Sequence, residues 1–413
     1  MQPSRFTRLC LSLYLLAHIL ETPAQQVFAP PPVEADRVPR QTSTVSPQTT
    51  TAPAAALVSS TEYSPLQWGP IRARLKLSYR FAYGDGIQPT PGRQLTTAFQ
   101  LVSPGVLFDL GKHWNLDYTP GINLYSNKEF RDSVSQSVAL SAHVPWQDWV
   151  FGFSQGYQSS SQPLIETGTQ TDQETYSTAL GATYSFNSRL AVELNASQNI
   201  QLTKQFSNSR EWSTLDWLNY RPQLKVAFAL GVSLGYVDLE QGSDVRYEKL
   251  LGRVSLPASE KIDFTISGGA DLRHFLGTDI ADKLSPTYEV TLNYRPFEVT
   301  TFSLNAHRGV KVSSFESQLT ESTDLSISLH QRLLQKFYLD IGPGYSFTDY
   351  FGTTSGSAVN RSDNYWFVGV RLSCTFLRRG RLAVFYQISE NSSNQEGFSY
   401  NSSQVGLELN YSL

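Results

Sequence analysis

The chain has 413 residues, with 33 lysines and arginines against 36 aspartates and glutamates, for a net charge of −3. That balance lacks the basic excess of a nucleic-acid binder and excludes nucleic acid as a partner. Charged residues are 17% and aromatics 12%, which does not fit a disordered chain, and the longest uncharged apolar stretch, Leu9 to Leu20, is too short for a spanning helix of ~20 residues.

Residues 1–24 have the three parts of a secretory signal peptide. Arg5 and Arg8 come first, then the apolar stretch LCLSLYLLAHIL, then the small residues Thr22 and Ala24 before a cut. Cys10 leaves with that peptide. Cys374 alone remains, so the mature chain forms no internal disulfide and no metal site built on paired cysteines. Residues 25–65 hold Pro30, Pro31, Pro32 and the segment TSTVSPQTTTAPAAA. Such a composition buries too little apolar area to offset chain ordering, and it reads as a disordered periplasmic linker. Residues 66–413 are one β domain.

Its first strand sets the pattern. Ile71, Ala73, Leu75, Leu77, Tyr79, Phe81 and Tyr83 alternate with Arg72, Arg74, Lys76, Ser78, Arg80 and Ala82. A period of two kept this long suits a strand that crosses a bilayer while tilted, which takes ~9–11 residues. In chain order the expected strands are 70–83, 95–110, 113–126, 133–144, 149–159, 174–186, 189–201, 212–220 and 223–238. They continue with 244–256, 261–275, 285–295, 298–312, 319–333, 336–350, 363–377, 381–390 and 400–413. Pro104-Gly105 reads as a bulge that shifts the phase of its strand. Strand 212–220 has no clean apolar face.

The connections alternate between tight turns and longer Ser, Thr, Gly, Asn and Gln-rich loops. Sorting of that kind belongs to a transmembrane antiparallel up-and-down β-barrel, here of about 18 strands with 16 as the alternative. Aromatic residues gather near strand ends. Trp114, Trp149, Phe186, Tyr220, Tyr294, Phe337, Phe376 and Tyr411 fall on the tight-turn side, and Tyr83, Tyr125, Tyr157, Tyr236, Phe275, Tyr345 and Phe347 on the loop side. Two girdles at the membrane interfaces are expected. The longest loop, about Ser160 to Gln173, reads as too short to fold deep into the lumen.

At the C-terminus Val405, Leu407, Leu409, Tyr411 and Leu413 alternate with Gly406, Glu408, Asn410 and Ser412. This resembles the terminal signal strand of bacterial outer-membrane β-barrel proteins, in which most members end in Phe or Trp. The chain as a whole resembles the putative β-barrel porin families. The resemblance implies outer-membrane lipid and the barrel-assembly machinery as partners, with Leu407, Leu409, Tyr411 and Leu413 as the assembly signal; it leaves homo-oligomers open. It also implies a passive channel for polar solutes, saccharides among them. A component of a polysaccharide-export or secretion assembly and a structural or adhesive surface barrel are the alternatives.

No catalytic site, cofactor or metal centre is expected. His113, His143, His274, His307 and His330 form no ligand pair, and neither a GxSxG nor a P-loop occurs. His274 beside Arg273 is the one tempting candidate for an enzyme. The alternation puts Arg72, Arg74, Lys76 and Arg80 on the lumen side as a basic stripe, and closure brings Glu408 opposite it. Asp263, Asp271, Arg273 and Arg371 also point inward, with other charges of both signs. The mixture favours pairing across neighbouring strands over a single-sign ion track. Ala227, Ala229, Gly231, Ser233 and Gly235 leave one inner wall without bulk, which suits a wide lumen or a close-packed plug.

Overall fold

The computed structural model describes residues 66–86, 95–163, 166, 170–223, 225–259, 261–354, 361–376 and 379–412. The expected signal peptide and linker lie outside the described residues. A short β1 (Leu66–Trp68) precedes the eighteen long strands. These begin with β2 (Ile71–Asp85), β3 (Thr96–Leu110), β4 (Trp114–Tyr125), β5 (Ser133–Trp146), β6 (Trp149–Pro163) and β7 (Gln170–Ser185). Next come β8 (Leu190–Thr203), β9 (Ser209–Gln223), β10 (Val226–Leu239), β11 (Val245–Ser259), β12 (Ile262–Phe275) and β13 (Lys283–Phe297). The last six are β14 (Thr300–Val312), β15 (Gln318–Leu333), β16 (Phe337–Gly352), β17 (Arg361–Phe376), β18 (Gly380–Ser393) and β19 (Tyr400–Ser412).

Each long strand pairs antiparallel with its sequence neighbours, and β19 pairs with β2, so the sheet closes on itself. A closed ring satisfies the backbone groups of every strand and leaves no lateral edge for lipid to meet. Pairing of β19 with β2 ends at Ser412 opposite Lys76. Below that point β1 takes over beside β2, with Leu66 opposite Ala73 and Trp68 opposite Ile71.

Connections on one rim are two to four residues long, and those on the other are five to ten. The tight turns contain backbone that L-residues rarely adopt, with φ of 54° at Gln147, 44° at Leu334 and 63° at Gln335.

Two expectations about strands need correction. β9 runs from Ser209 to Gln223, well beyond 212–220. β3 has no bulge at Pro104: its register with β2 runs unbroken through Leu77 opposite Pro104 and Lys76 opposite Gly105. The irregularity lies on the other side. The β3–β4 ladder stops after Val102 opposite Ile122 and resumes in the same register at Val106 opposite Tyr118. Within that gap Pro104 faces Pro120, and neither can donate a ladder hydrogen bond. Because the phase never shifts, Phe99 faces inward, 2% exposed, with its ring 5.1 Å from that of Tyr125.

Candidate functional site: the inner wall and the mouth

The two faces of the sheet differ as period two requires. On β10, Leu230 is 69% exposed while Ser233 is fully buried. Leu75, Leu77, Leu180, Leu218, Val232, Leu234, Leu250, Leu325, Val370, Val384 and Leu407 share the exposed face around the ring. Rings flank this apolar belt. Trp68, Trp114, Trp146, Phe186, Tyr220, Tyr294 and Phe337 are exposed toward the short-turn rim, and Tyr83, Trp212, Tyr236 and Trp366 toward the loop rim. Tyr125 and Phe275, expected in the loop-side girdle, instead turn inward and are buried, because each stands at an odd position of a strand whose even positions face out.

The inner face carries charge in pairs. Arg74 Nη2 lies 2.8 Å from Asp109 Oδ1, and Lys76 Nζ lies 2.6 Å from Asp117 Oδ2. Glu408 accepts from Arg80 Nη1 at 2.9 Å and from Arg371 Nη2 at 2.7 Å. Arg371 stands on β17 and Glu408 on β19, so this contact passes over β18, where the small buried Ala383 leaves room. Asp271 holds Lys249 at 3.2 Å and Arg273 at 3.1 Å. Arg253 reaches Glu193 at 3.1 Å and stacks 4.3 Å from the centroid of Trp217. His330 hydrogen-bonds Asp340.

Each sequence candidate can thus be placed. Arg74, Lys76, Arg80, Asp271, Arg273, Arg371 and Glu408 stand on the inward face in ion pairs. Arg72 shares their face at the exposed short-turn end of β2. Asp263 stands inward on β12 opposite Asn293. Leu407, Leu409 and Tyr411 take the outward positions of β19, and Leu413 lies outside the described residues. His274 takes an outward position on β12, with its Nδ1 2.8 Å from Asp282 Oδ2. Asp109, Glu211, Lys249 and Arg253 belong to the inner wall and were not singled out in the sequence. Strict alternation along β9 and β11 identifies the last three.

The small stripe of β10 is not empty space. A Cβ on Gly231 would come within 2.6 Å of the Trp217 ring, and one on Gly235 within 2.0 Å of the Tyr247 ring. The expectation of a wall without bulk is therefore corrected: side chains from β9 and β11 lean over β10 and cover it. Trp217, Leu215, Ala229 and Leu251 form one apolar cluster there.

The loop end holds the larger surprise. The β13–β14 ladder ends at Tyr288 opposite Arg308. Above it β14 leaves β13 and steps inside the ring. Val310 and Leu319 pack against Val237, Val245, Tyr247 and Phe275 on the inner faces of β10, β11 and β12. Arg273 donates to the Val310 carbonyl at 3.1 Å. The turn at 313–317 then meets loops from across the barrel. Ser207 N donates to Ser314 O at 3.3 Å and Ser317 N to Gln241 O at 3.2 Å, while the bond from Thr353 N to Ser317 O at 2.7 Å continues the β15–β16 ladder. Glu166, from the β6–β7 loop, accepts from the Ser313 hydroxyl and from Ser314 N at 3.1 Å, while Arg361 Nη1 donates to the Glu166 carbonyl at 2.9 Å. The Arg361 guanidinium lies 3.8 Å from the Phe398 ring centroid and 4.3 Å from that of Tyr350. Asp363 accepts from Arg361 Nη2 at 2.6 Å. Burial pushes the Glu166 carboxyl above its usual range, although the hydrogen bonds from Ser313 and Ser314 and the charge of Arg361 pull the other way. The β6–β7 connection, only six residues between Pro163 and Gln170, meets the β14–β15 turn through Glu166 because the hairpin comes inward to it.

An apolar belt outside, paired charges inside, short turns on one rim and loops on the other complete the description. This is the architecture of an outer-membrane β-barrel. Solved structures similar to the chain include OpdL of Pseudomonas aeruginosa, at 13% identity and a TM-score of 0.47, over 84% of this chain and 99% of that one. The outer membrane protein OpdK of the same organism is 12% identical with a TM-score of 0.46, over 83% and 98%. OccAB3 of Acinetobacter baumannii is 10% identical with a TM-score of 0.45, over 83% and 99%. No family model matches the chain, and no curated protein matches it.

Proposed function

We propose that the chain is an outer-membrane channel through which polar solutes diffuse, with neutral saccharides as the favoured class. The paired inner wall carries this reading. Arg74, Lys76, Arg80, Glu193, Arg253 and Glu408 keep 12–43% of their side chains accessible, which suits a hydrated passage. Between them Thr119, Ser197, Asn199, Ser213, Thr265, Asn293 and Asn305 stand at inward positions and are partly exposed. Such hydroxyls and amides suit neutral polyols, and the balance of signs disfavours strong ion selection. An N-terminal tail in the periplasm fits Leu66 leaving from the short-turn rim. Non-enzymatic action fits the placing of His274 on the outward face, beside an aspartate but no nucleophile.

The convergence of loops on Glu166 and Ser314 favours a second reading, a structural or adhesive surface barrel whose mouth stays shut. Planar-bilayer conductance and swelling of liposomes in sucrose separate the two. Discrete steps with sucrose entry support the channel. Silence from correctly folded protein, with and without residues 25–65, refutes it.

A further inference from the structure

We infer that the upper part of the β14–β15 hairpin, Gly309 to Glu321, together with the end of β16 that stays paired to it through Gln318 opposite Gly352 and Glu321 opposite Asp349, is a hinged gate that is latched shut across the mouth and swings back so that β14 re-pairs with β13 when open. The inference rests on the channel reading. Three observations support it. First, the hinge is visible as the point where a continuous ladder ends. Continuing the β13–β14 register past Tyr288 and Arg308 would place Thr287 opposite Gly309 and Ser285 opposite Lys311. β13 keeps that stretch straight through its pairing with β12, up to Arg273 opposite Lys283. An edge is therefore held ready for β14 to rejoin.

Second, the tip is latched by polar contacts beyond the apolar packing of Val310 and Leu319. It is held by hydrogen bonds to Glu166, Ser207 and Gln241, each from a different connection. Bonds of this kind contribute modestly one at a time and can be exchanged for water. Third, the receiving surface is shaped for the tip. Gly242 has φ +122°, and a Cβ there would lie 2.9 Å from Ser317 Cα and 3.0 Å from Thr353 Oγ1. Ser317 itself sits at φ +55° as the last residue of the β14–β15 turn, a geometry the turn carries with it.

Re-pairing is imperfect at Pro286, which brings no N–H to the restored ladder. That leaves both states accessible rather than making the open one dominant.

The test uses the full chain in planar bilayers. Glu166→Ala and Gly242→Ala each remove one part of the latch, and open probability should rise about tenfold over wild type. Glu166→Gln still accepts from Ser314 N on its amide oxygen and turns its NH2 to donate to the Ser313 hydroxyl, and should leave the gate shut. Two cysteine pairs fix the states directly. Oxidised Glu166→Cys/Ser314→Cys should abolish conductance until reduced, and oxidised Ser285→Cys/Lys311→Cys should hold the channel open, since residues opposite in a ladder come close enough to bridge. If the second pair fails to form under oxidant while the first forms fully and conductance is unaffected, the gate is refuted and the channel stands. If neither pair nor Glu166→Ala ever gives a conducting state from folded protein, the channel reading itself fails.

Discussion

Glu408→Gln tests the inner wall most sharply. In the folded barrel Glu408 binds Arg80 at 2.9 Å and Arg371 at 2.7 Å, and the three side chains are 12%, 17% and 6% exposed. At that burial, solvent screening is slight. A glutamine can accept from one guanidinium, but it leaves two positive charges facing each other across β18 and β19. Removing one partner from a buried pair costs about 3–5 kcal/mol, and a hydrogen bond to a charged group contributes about 1.5–3 kcal/mol. The amide recovers part of this, so the expected loss is about 3 kcal/mol. Urea unfolding in lipid vesicles, followed by tryptophan fluorescence and by gel mobility, measures it. Glu248→Gln serves as control. Its pair with Arg246 is 41% and 61% exposed, and such pairs contribute less than about 1 kcal/mol. Restoring balance with Arg371→Met in the Glu408→Gln background should recover stability. A Glu408→Gln loss no larger than the control's would refute the argument that this wall is held by buried pairs.

Other outcomes follow from the same geometry. Gly235→Ala forces a Cβ into the Tyr247 ring and should cost about 2 kcal/mol, whereas Gly252→Ala, with its nearest atom 4.0 Å away, should be neutral by the same unfolding assay. Gln335→Gly relieves a positive φ in the β15–β16 turn and should stabilise by about 1 kcal/mol, seen as slower unfolding. Glu166 gives a pH dependence of known sign. Its carboxyl titrates higher when buried against Ser313 and Ser314 beside Arg361 and Asp363 than when solvated, so the closed mouth binds more protons than an open one. Conductance should therefore fall as pH drops through that raised value and recover above it. Glu166→Gln should remove the step, and a step that survives the substitution would assign it elsewhere.

Period two made the wall legible. Once Ile71 to Tyr83 showed one face, the same alternation placed Leu230, Leu250 and Leu407 outward, and it found Arg80 and Glu408 across the seam. Alternation could not show which inward side chains lean sideways. The bare positions Gly231 and Gly235 therefore read as a void, although Trp217 and Tyr247 on the next strands fill it. Pro104-Gly105 misled for a related reason. It reads as a bulge, yet it runs in register inside its strand, as Pro120-Gly121 and Pro343-Gly344 do within the expected strands 113–126 and 336–350. In a membrane wall the proline takes the outward position and the glycine makes room inside for a neighbour such as Lys76 or Phe367. The mouth was least legible. Its contacts join residues such as Glu166 and Ser313 that lie far apart in the chain, and the inward step of β14 has no local signature beyond Gly309.

The proline pair also gives the wall a mechanical character. Where Pro104 faces Pro120 the stitching between β3 and β4 is interrupted. A second interruption lies between β15 and β16, where Pro343 stands opposite Ile327 and the ladder is silent from Ser326 to Leu329. A third lies between β8 and β9, where the ladder is silent from Glu193 to Ala196. Between these lines each strand is sewn to the next and the wall resists bending. The three creases stand five, seven and six strands apart around the ring. A hoop creased at nearly even intervals has no single weak chord, so the cross-section should yield to lateral pressure from the bilayer to a similar extent in every direction.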